Sequence, residues 1–308
     1  MAIDGVVWPG LFWPATLLSN ARHLMVPVFV LLVVLALRQR RGWTAGAAAA
    51  CALLAAASWV GWDRQLPSRD FSGMPALRVL TVNLGDAASD GVEAAQVLAD
   101  LDVDLVLLQE VGAHHRTAME EPLRRAFPHQ LWHPLGIPGK AALSRHSITE
   151  EGWSTHPARV TLQTVRVDIP AVGPVRVMNV KLSAMASWTG LHSAGLDAIL
   201  EFATFTTVHP YAPKDLRVVA GDLNSSPWSA VLSALGWKGF GSSFSRVGAR
   251  VGHTFPMPFR YRYLPLPPCV RIDYILTGPG AVATAAEVGP DVGSDHLPMI
   301  ATLRLPSR

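Results

Sequence analysis

The sequence predicts an α/β protein: a two-sheet sandwich over residues 76–308, preceded by helices that span a membrane. Three observations predict it. From Pro75 onward, short β-rich runs alternate with helical stretches, as a single α/β domain requires. Some of those runs look parallel and fully buried while others alternate like hairpins, so two packed sheets fit better than one doubly wound sheet. Before Asp63, the chain carries three apolar runs, Gly5 to Ser19, Leu24 to Leu37 and Trp43 to Trp62.

The third run has the roughly 20 residues that a bilayer crossing needs, and the first two would borrow flanking residues. Trp8, Trp13, Trp43, Trp59 and Trp62 fall mostly near the ends of runs, where interfacial anchors sit. Residues 1–62 are therefore read as two or three membrane-spanning helices. The alternative is a signal peptide behind a misassigned start, with Arg38, Gln39, Arg40 and Arg41 before an alanine-rich run. The arginine cluster stays in the cytoplasm and one further crossing delivers the rest outside. The expected location is thus the plasma membrane, multi-pass, with the large domain extracytoplasmic. Residues 63–75, with Pro67, Ser68, Ser72 and Gly73, read as a linker.

Half of the 308 residues are hydrophobic and 16% are charged. Of 26 basic and 23 acidic residues, four arginines and one aspartate precede Asp63, so the remainder balances at 22 of each sign. The net charge of +3 therefore does not describe a basic nucleic-acid-binding face. Cys51 and Cys269 give no disulfide framework.

In order, the strands are expected at Ala76–Leu84, Val103–Leu108, Lys140–Ser144, Val160–Asp168, Val175–Lys181, the run at Leu216, Val218 and Val219, Val270–Leu276, Ala281–Val288 and Met299–Leu303. Helices are expected at Gly91–Leu101, Thr117–Phe127, Leu191–Val208 and Ser229–Leu235. Gly221 breaks the chain from its strand before Asp222, Leu223 and Asn224, and Ser226-Pro227 opens the next helix.

Polar residues recur at the ends of otherwise apolar strands: Asn83 in VLTVN, Glu110 in LVLLQE, Asp222 and Asn224 after RVVAG, Asp273 in RIDYIL, and Asp295 and His296 in GSDHLP. Each alone is compatible with a turn or a cap. Together they supply what metal-assisted phosphoester hydrolysis needs. Glu110 is a hard anionic ligand suited to Mg²⁺ or Mn²⁺, and Asn83 can add a neutral oxygen or hold a metal-bound water. Asp273 and His296 suit a carboxylate–imidazole pair for proton transfer or charge stabilisation. Asp222 is placed to orient or deprotonate water, and Asn224 to donate to a phosphate oxygen.

VLTVNL, LVLLQEV, ALSR, VVAGDLNSSP, RIDYIL and GSDHLP, in this order, resemble the endonuclease/exonuclease/phosphatase superfamily, the DNase I-like fold, over about residues 76–305. The resemblance implies a four-layer α/β sandwich, with Mg²⁺ held mainly by Glu110 and Asn83 and Asp295 as a second metal ligand. It places Asp222 and Asn224 at the phosphate and nucleophile, and Asp273 behind His296. Where hydrolytic members often carry His-Leu, this chain has Lys181-Leu182, and Lys181 is read as an electrostatic substitute. His133, Arg145 and His192 are candidate helpers.

A membrane-anchored chain of this kind looks like the members implicated in teicoplanin resistance, which implies a phosphorylated lipid substrate, a phosphate or pyrophosphate of the undecaprenyl type. The balanced charge of the domain agrees, since nucleic-acid binding rests on several Lys or Arg contacts. Pro256 to Pro268 (PMPFRYRYLPLPP) alternates aromatic and cationic residues and is expected either to face the bilayer or to pack as an ordinary loop. A tethered endonuclease, a sphingomyelinase-like phospholipase C and an inactive scaffold are the competing functions. No protein partner is inferred.

Overall fold

A computed structural model of the chain describes residues 25–39, 42–57, 71, 73–85, 89–155, 161–182, 216–248, 252–260 and 265–306. Two helices come first, α1 (Met25–Arg38) and α2 (Gly42–Ala57), packed on each other. At 14 and 16 residues they run to about 21 and 24 Å, short of the roughly 30 Å of a hydrocarbon core. No helix among the described residues is long and apolar enough to cross a membrane. The first apolar run, the end of the third and most of the linker lie outside the described residues.

The sandwich that follows is built from β1 (Ala76–Asn83), α3 (Val92–Asp100), β2 (Leu105–Gln109), α4 (Ala113–Met119), β3 (His129–His133), β4 (Lys140–Ser144), β5 (Ile148–Thr155), β6 (Thr161–Ile169), β7 (Gly173–Lys181), β8 (Leu216–Asp222), α5 (Ala230–Trp237), β9 (Gly241–Ser242), α6 (Ser243–Val247), β10 (Asp273–Thr277), β11 (Val282–Val288) and β12 (Met299–Arg304). One sheet has the order β11-β12-β1-β2-β4-β3 and the other β5-β6-β7-β8-β10-β9. Among the described strands, only the β1–β2 and β7–β8 neighbours are parallel, so the sheets are mixed, as the sequence pattern indicates.

Three apolar clusters give the layers. Leu77, Val79, Leu105, Leu107, Val177, Val218, Ala220 and Ile275 meet between the sheets. Leu80, Val82, Val106 and Leu108, on the opposite face of the first sheet, pack against Ala94 and Leu98 of α3 and against Met119, Leu123 and Phe127. Val180, Val219, Tyr274 and Leu276 pack outward against Val231 and Leu235 of α5. The result is helix, sheet, sheet, helix.

The helix expected at Thr117–Phe127 ends instead at Met119. Pro122 has no N–H to continue the ladder, so the next residues form turns that still bury Leu123 and Phe127. β3, β5, β9 and α6 were not anticipated, and the helix expected at Leu191–Val208 lies outside the described residues. The strand expected from Val270 begins at Asp273, with Val270 making only an isolated bridge to Phe255.

Candidate functional site

Alternation along each strand builds the site. Side chains on the inner faces run Leu77, Val79, Thr81, Asn83 on β1; Leu105, Leu107, Gln109 on β2; Val175, Val177, Asn179, Lys181 on β7; and Val218, Ala220, Asp222 on β8. The antiparallel β10 runs back from Asp273 to Ile275, with Asp273 opposite Asp222. The inter-sheet layer is therefore apolar along most of its length and turns polar at one end, on several strands at the same level.

A seam of amides marks the change. Gln109 Nε2 lies 2.7 Å from Asn179 Oδ1 and 2.9 Å from Thr81 Oγ1. Asn179 Nδ2 lies 3.0 Å from the Leu108 carbonyl and 3.2 Å from both the Ala141 carbonyl and Gln163 Oε1. Lys140 is fully buried beside Gln109, and burial drives its ammonium well below the ordinary lysine range.

Above the seam, the eight candidate residues form one connected group. Asn83 Nδ2 donates to Glu110 Oε1 at 2.9 Å and to Asp222 Oδ2 at 3.0 Å. Its Oδ1 accepts from the Gly85 N–H at 2.9 Å, leaving one lone pair. Lys181 Nζ lies 3.2 Å from Glu110 Oε1. Asp222 accepts from the backbone N–H of Asn224 at 2.8 Å and from Asn224 Nδ2 at 2.9 Å. His296 Nδ1 is 2.9 Å from Asp273 Oδ2, and ligand atoms of Asp222, Asp273 and His296 all lie within 4.8 Å of one another. Asp295 joins through Ser294, whose Oγ donates to the Asn83 carbonyl at 2.6 Å and accepts from the His296 N–H at 3.1 Å.

Backbone geometry at two of these positions is special. Glu110 (φ 53°) and Asn224 (φ 44°) adopt left-handed conformations, which Asn tolerates and Glu rarely does. Both turns lift a side chain off its strand into the shared mouth.

The electrostatics follow from burial. Burial pushes the Asp222 carboxyl up to about 6, against the pull of His296. Burial opposes charging the His296 imidazole, but the carboxylates of Asp273, Asp222 and Asp295 outweigh it and raise it to about 10. Burial also raises Asp295. Glu110 moves the other way: burial would raise it, but Lys181 and Asn83 together hold it below the usual carboxylate range. With His296 protonated, four carboxylates face two cations, so the pocket retains a negative excess, and Asp273 Oδ1 is buried without a partner. The carboxylates of this group and the Asn83 amide are hard oxygen donors, which fit a divalent cation such as Mg²⁺ or Mn²⁺.

Some expectations change. Asn224 has both amide hydrogens engaged, with Asp222 and with the Leu182 carbonyl at 2.7 Å, so it braces Asp222 where the sequence suggested a donor to phosphate. Lys181 pairs with Glu110. Of the helpers, Arg145 is bonded to Asp102 at the opposite end of β2, and His133 is held by Glu150 at 2.7 Å and stacked on Trp153. His192 lies outside the described residues. Sequence reasoning missed Ser294, the Gln109–Asn179 seam and Phe255, whose ring lies 4.7 Å from that of His296. A polar residue inside an apolar strand, as in VMNV and LLQE, was the available signal.

The described part of the loop before β10 meets the site at Met257, whose N–H donates to the Asp295 carbonyl at 2.9 Å. Phe259 and Leu266 are exposed, while Arg260 is taken up by Asp291 at 3.1 Å and Glu93 at 3.4 Å. Residues 261–264 lie outside the described residues.

No curated protein matches the chain. Solved structures share its fold. It is similar to the endonuclease/exonuclease/phosphatase from Beutenbergia cavernae, at 24% identity over 75% of this chain and 72% of that one, with a TM-score of 0.56. It is also similar to a family protein from Leptotrichia buccalis, at 14% identity over 74% of this chain and 100% of that one, TM-score 0.57. The mannosyl-6-phosphatase Bt3783 of Bacteroides thetaiotaomicron matches at 16% identity over 74% of this chain and 99% of that one, TM-score 0.55. The family model for the Endonuclease/Exonuclease/phosphatase family matches residues 80–296, a span that runs from β1 to His296 and takes in all eight converging residues, and the chain belongs to that family.

Proposed function

We propose that this protein is a divalent-metal-dependent phosphoester hydrolase, tethered to the membrane, that acts on a lipid phosphate or pyrophosphate of the undecaprenyl type on the extracytoplasmic side. The observation that carries the hydrolase reading is the convergence of Asn83, Glu110, Lys181, Asp222, Asn224, Asp273, Asp295 and His296 at the polar end of an otherwise apolar inter-sheet layer. Glu110, with Asn83 and Asp295, would hold Mg²⁺ or Mn²⁺. A bound divalent cation supplies charge neutralisation at the phosphoryl oxygens and acidifies water.

The protein's own groups divide the remaining work. Asp222, lifted to about 6, is a carboxylate at neutral pH yet basic enough to take a proton from attacking water. Asn224 fixes its orientation through two hydrogen bonds. His296 is a cation near neutrality, so its free Nε2–H donates to a phosphate oxygen as negative charge builds, while Asp273 holds the ring.

The membrane part rests on separate support. α1 leaves Val28, Val30, Leu31, Leu32, Val34, Leu35 and Leu37 exposed, and an apolar surface on most sides of a helix calls for lipid or another apolar partner. Phe259 and Leu266 are exposed on the loop beside the mouth, where apolar side chains suit a bilayer surface. Purified protein with Mg²⁺ is to be offered undecaprenyl pyrophosphate, phosphatidic acid, sphingomyelin and supercoiled DNA, with Asp222→Ala as control. Phosphate release from the polyprenyl substrate is expected. Nicking of DNA alone would make the protein a nuclease, and phosphocholine release a phospholipase C.

A further inference from the structure

Lys181 stands beside two carboxylates of the site, those of Glu110 and Asp222. The parallel register of β7 and β8 sets it beside Asp222, and its Nζ reaches Glu110 Oε1 at 3.2 Å. That same oxygen already accepts from Asn83 Nδ2 at 2.9 Å. The lysine side chain is 11% exposed and Glu110 19%, so water screens the pair poorly. Lys181 also favours the charged form of Asp222.

Resting on the metal-dependent reading above, we propose that Lys181 is a built-in counter-cation: it competes with the divalent ion for Glu110 and transfers its ammonium to the phosphate of the substrate on binding. Two positive centres cannot share Glu110 Oε1 without repulsion, so an arriving divalent ion must displace the ammonium or bind through Oε2 alone. A bound phosphate offers the ammonium a new anionic partner within reach of a flexible four-carbon stem. Metal therefore binds weakly in the absence of phosphate and more tightly with it, and by linkage phosphate binds more tightly when metal is present. In this reading Lys181 contacts substrate only after leaving Glu110.

The test uses the full chain in detergent, with Mn²⁺ and inorganic phosphate as probes. Calorimetry measures Mn²⁺ affinity without phosphate, and phosphate affinity at saturating Mn²⁺. Lys181→Met keeps the stem and removes the charge; it is expected to tighten Mn²⁺ by about tenfold or more and to weaken phosphate by a similar factor. Lys181→Arg, which keeps the charge, should stay near the parent in both. A purely structural role would weaken both ligands together and lower the melting temperature. Unchanged or weaker Mn²⁺ binding in Lys181→Met, or unchanged phosphate binding, overturns the proposal; Lys181→Gln serves the same comparison where the methionine variant does not fold. Glu110→Gln separates the two levels of inference. If the parent binds no Mn²⁺, or binds it equally after Glu110→Gln, the metal reading itself fails and this proposal falls with it.

Discussion

Asp273→Asn removes one charge from the buried pair that sets the state of His296. Raising an imidazole from its ordinary value of 6.5 to about 10 corresponds, at about 1.4 kcal/mol per tenfold change, to on the order of 5 kcal/mol of preference for the charged ring. Burial opposes that charge, and Asp273 is the largest contribution in its favour. Both groups are almost fully buried, with side chains 6% and 0% exposed, so solvent takes little of the effect away. The sign follows from linkage. A group whose folded value lies above its unfolded value contributes stability that is complete below about 6.5 and is lost as pH rises through about 10. This pair should therefore cost the parent stability between those limits, by up to about 1.4 kcal/mol per pH unit, and Asp273→Asn should show a smaller loss there, because Asp222 and Asp295 still favour the charged ring. Chemical denaturation across pH 6 to 10 reads the slope, and nitrogen-detected NMR of the His296 ring reads its charge. A parent ring that titrates near 6.5, or equal slopes in the two proteins, would refute the electrostatic account of this pair.

Asp222→Asn should abolish turnover, by a factor of about 10² to 10⁴, yet leave the protein as stable or more stable at pH 8, because burial disfavours the carboxylate above about 6; denaturation beside an activity assay tests both halves. Gly221→Ala should cost about 3 kcal/mol or more, since φ is 141° and a Cβ would collide with the Val180 carbonyl; a variant with an unchanged denaturation midpoint would contradict this. Asn179→Leu leaves the carbonyls of Leu108 and Ala141 without their side-chain donor and should cost about 2–4 kcal/mol, read in the same way. Replacing Phe259 and Leu266 with serine should lower activity on vesicle-borne substrate while sparing a soluble phosphodiester; equal loss on both would exclude the bilayer contact.

Much of the fold was legible because burial on one face forces a period of two. Val79 and Val82 announce opposite sides of β1 without reference to any other strand. The elements that escaped are those in which this signal is weak. β3 (HQLWH) and β5 (ITEEGWST) lie at sheet edges, where polar residues are tolerated. β9 is two residues long. In the helix expected at Thr117–Phe127, Met119, Leu123 and Phe127 recur at helical spacing and all three are buried, but Pro122 ends the regular ladder locally.

By itself the sequence determined the chemistry on offer: acids, amides and one imidazole at strand ends, in an order that marks the family. Which of these groups touch was decided only by the tertiary structure. Hydrogen-bonding capacity is finite, and how it is used depends on neighbours distant in the chain. Asn224 lost its free donors to Leu182 and Asp222, and Lys181 found Glu110 across the gap between the sheets. Strand register, sheet packing and the low polarity of the interior set those partnerships, and no local pattern of residues encodes them.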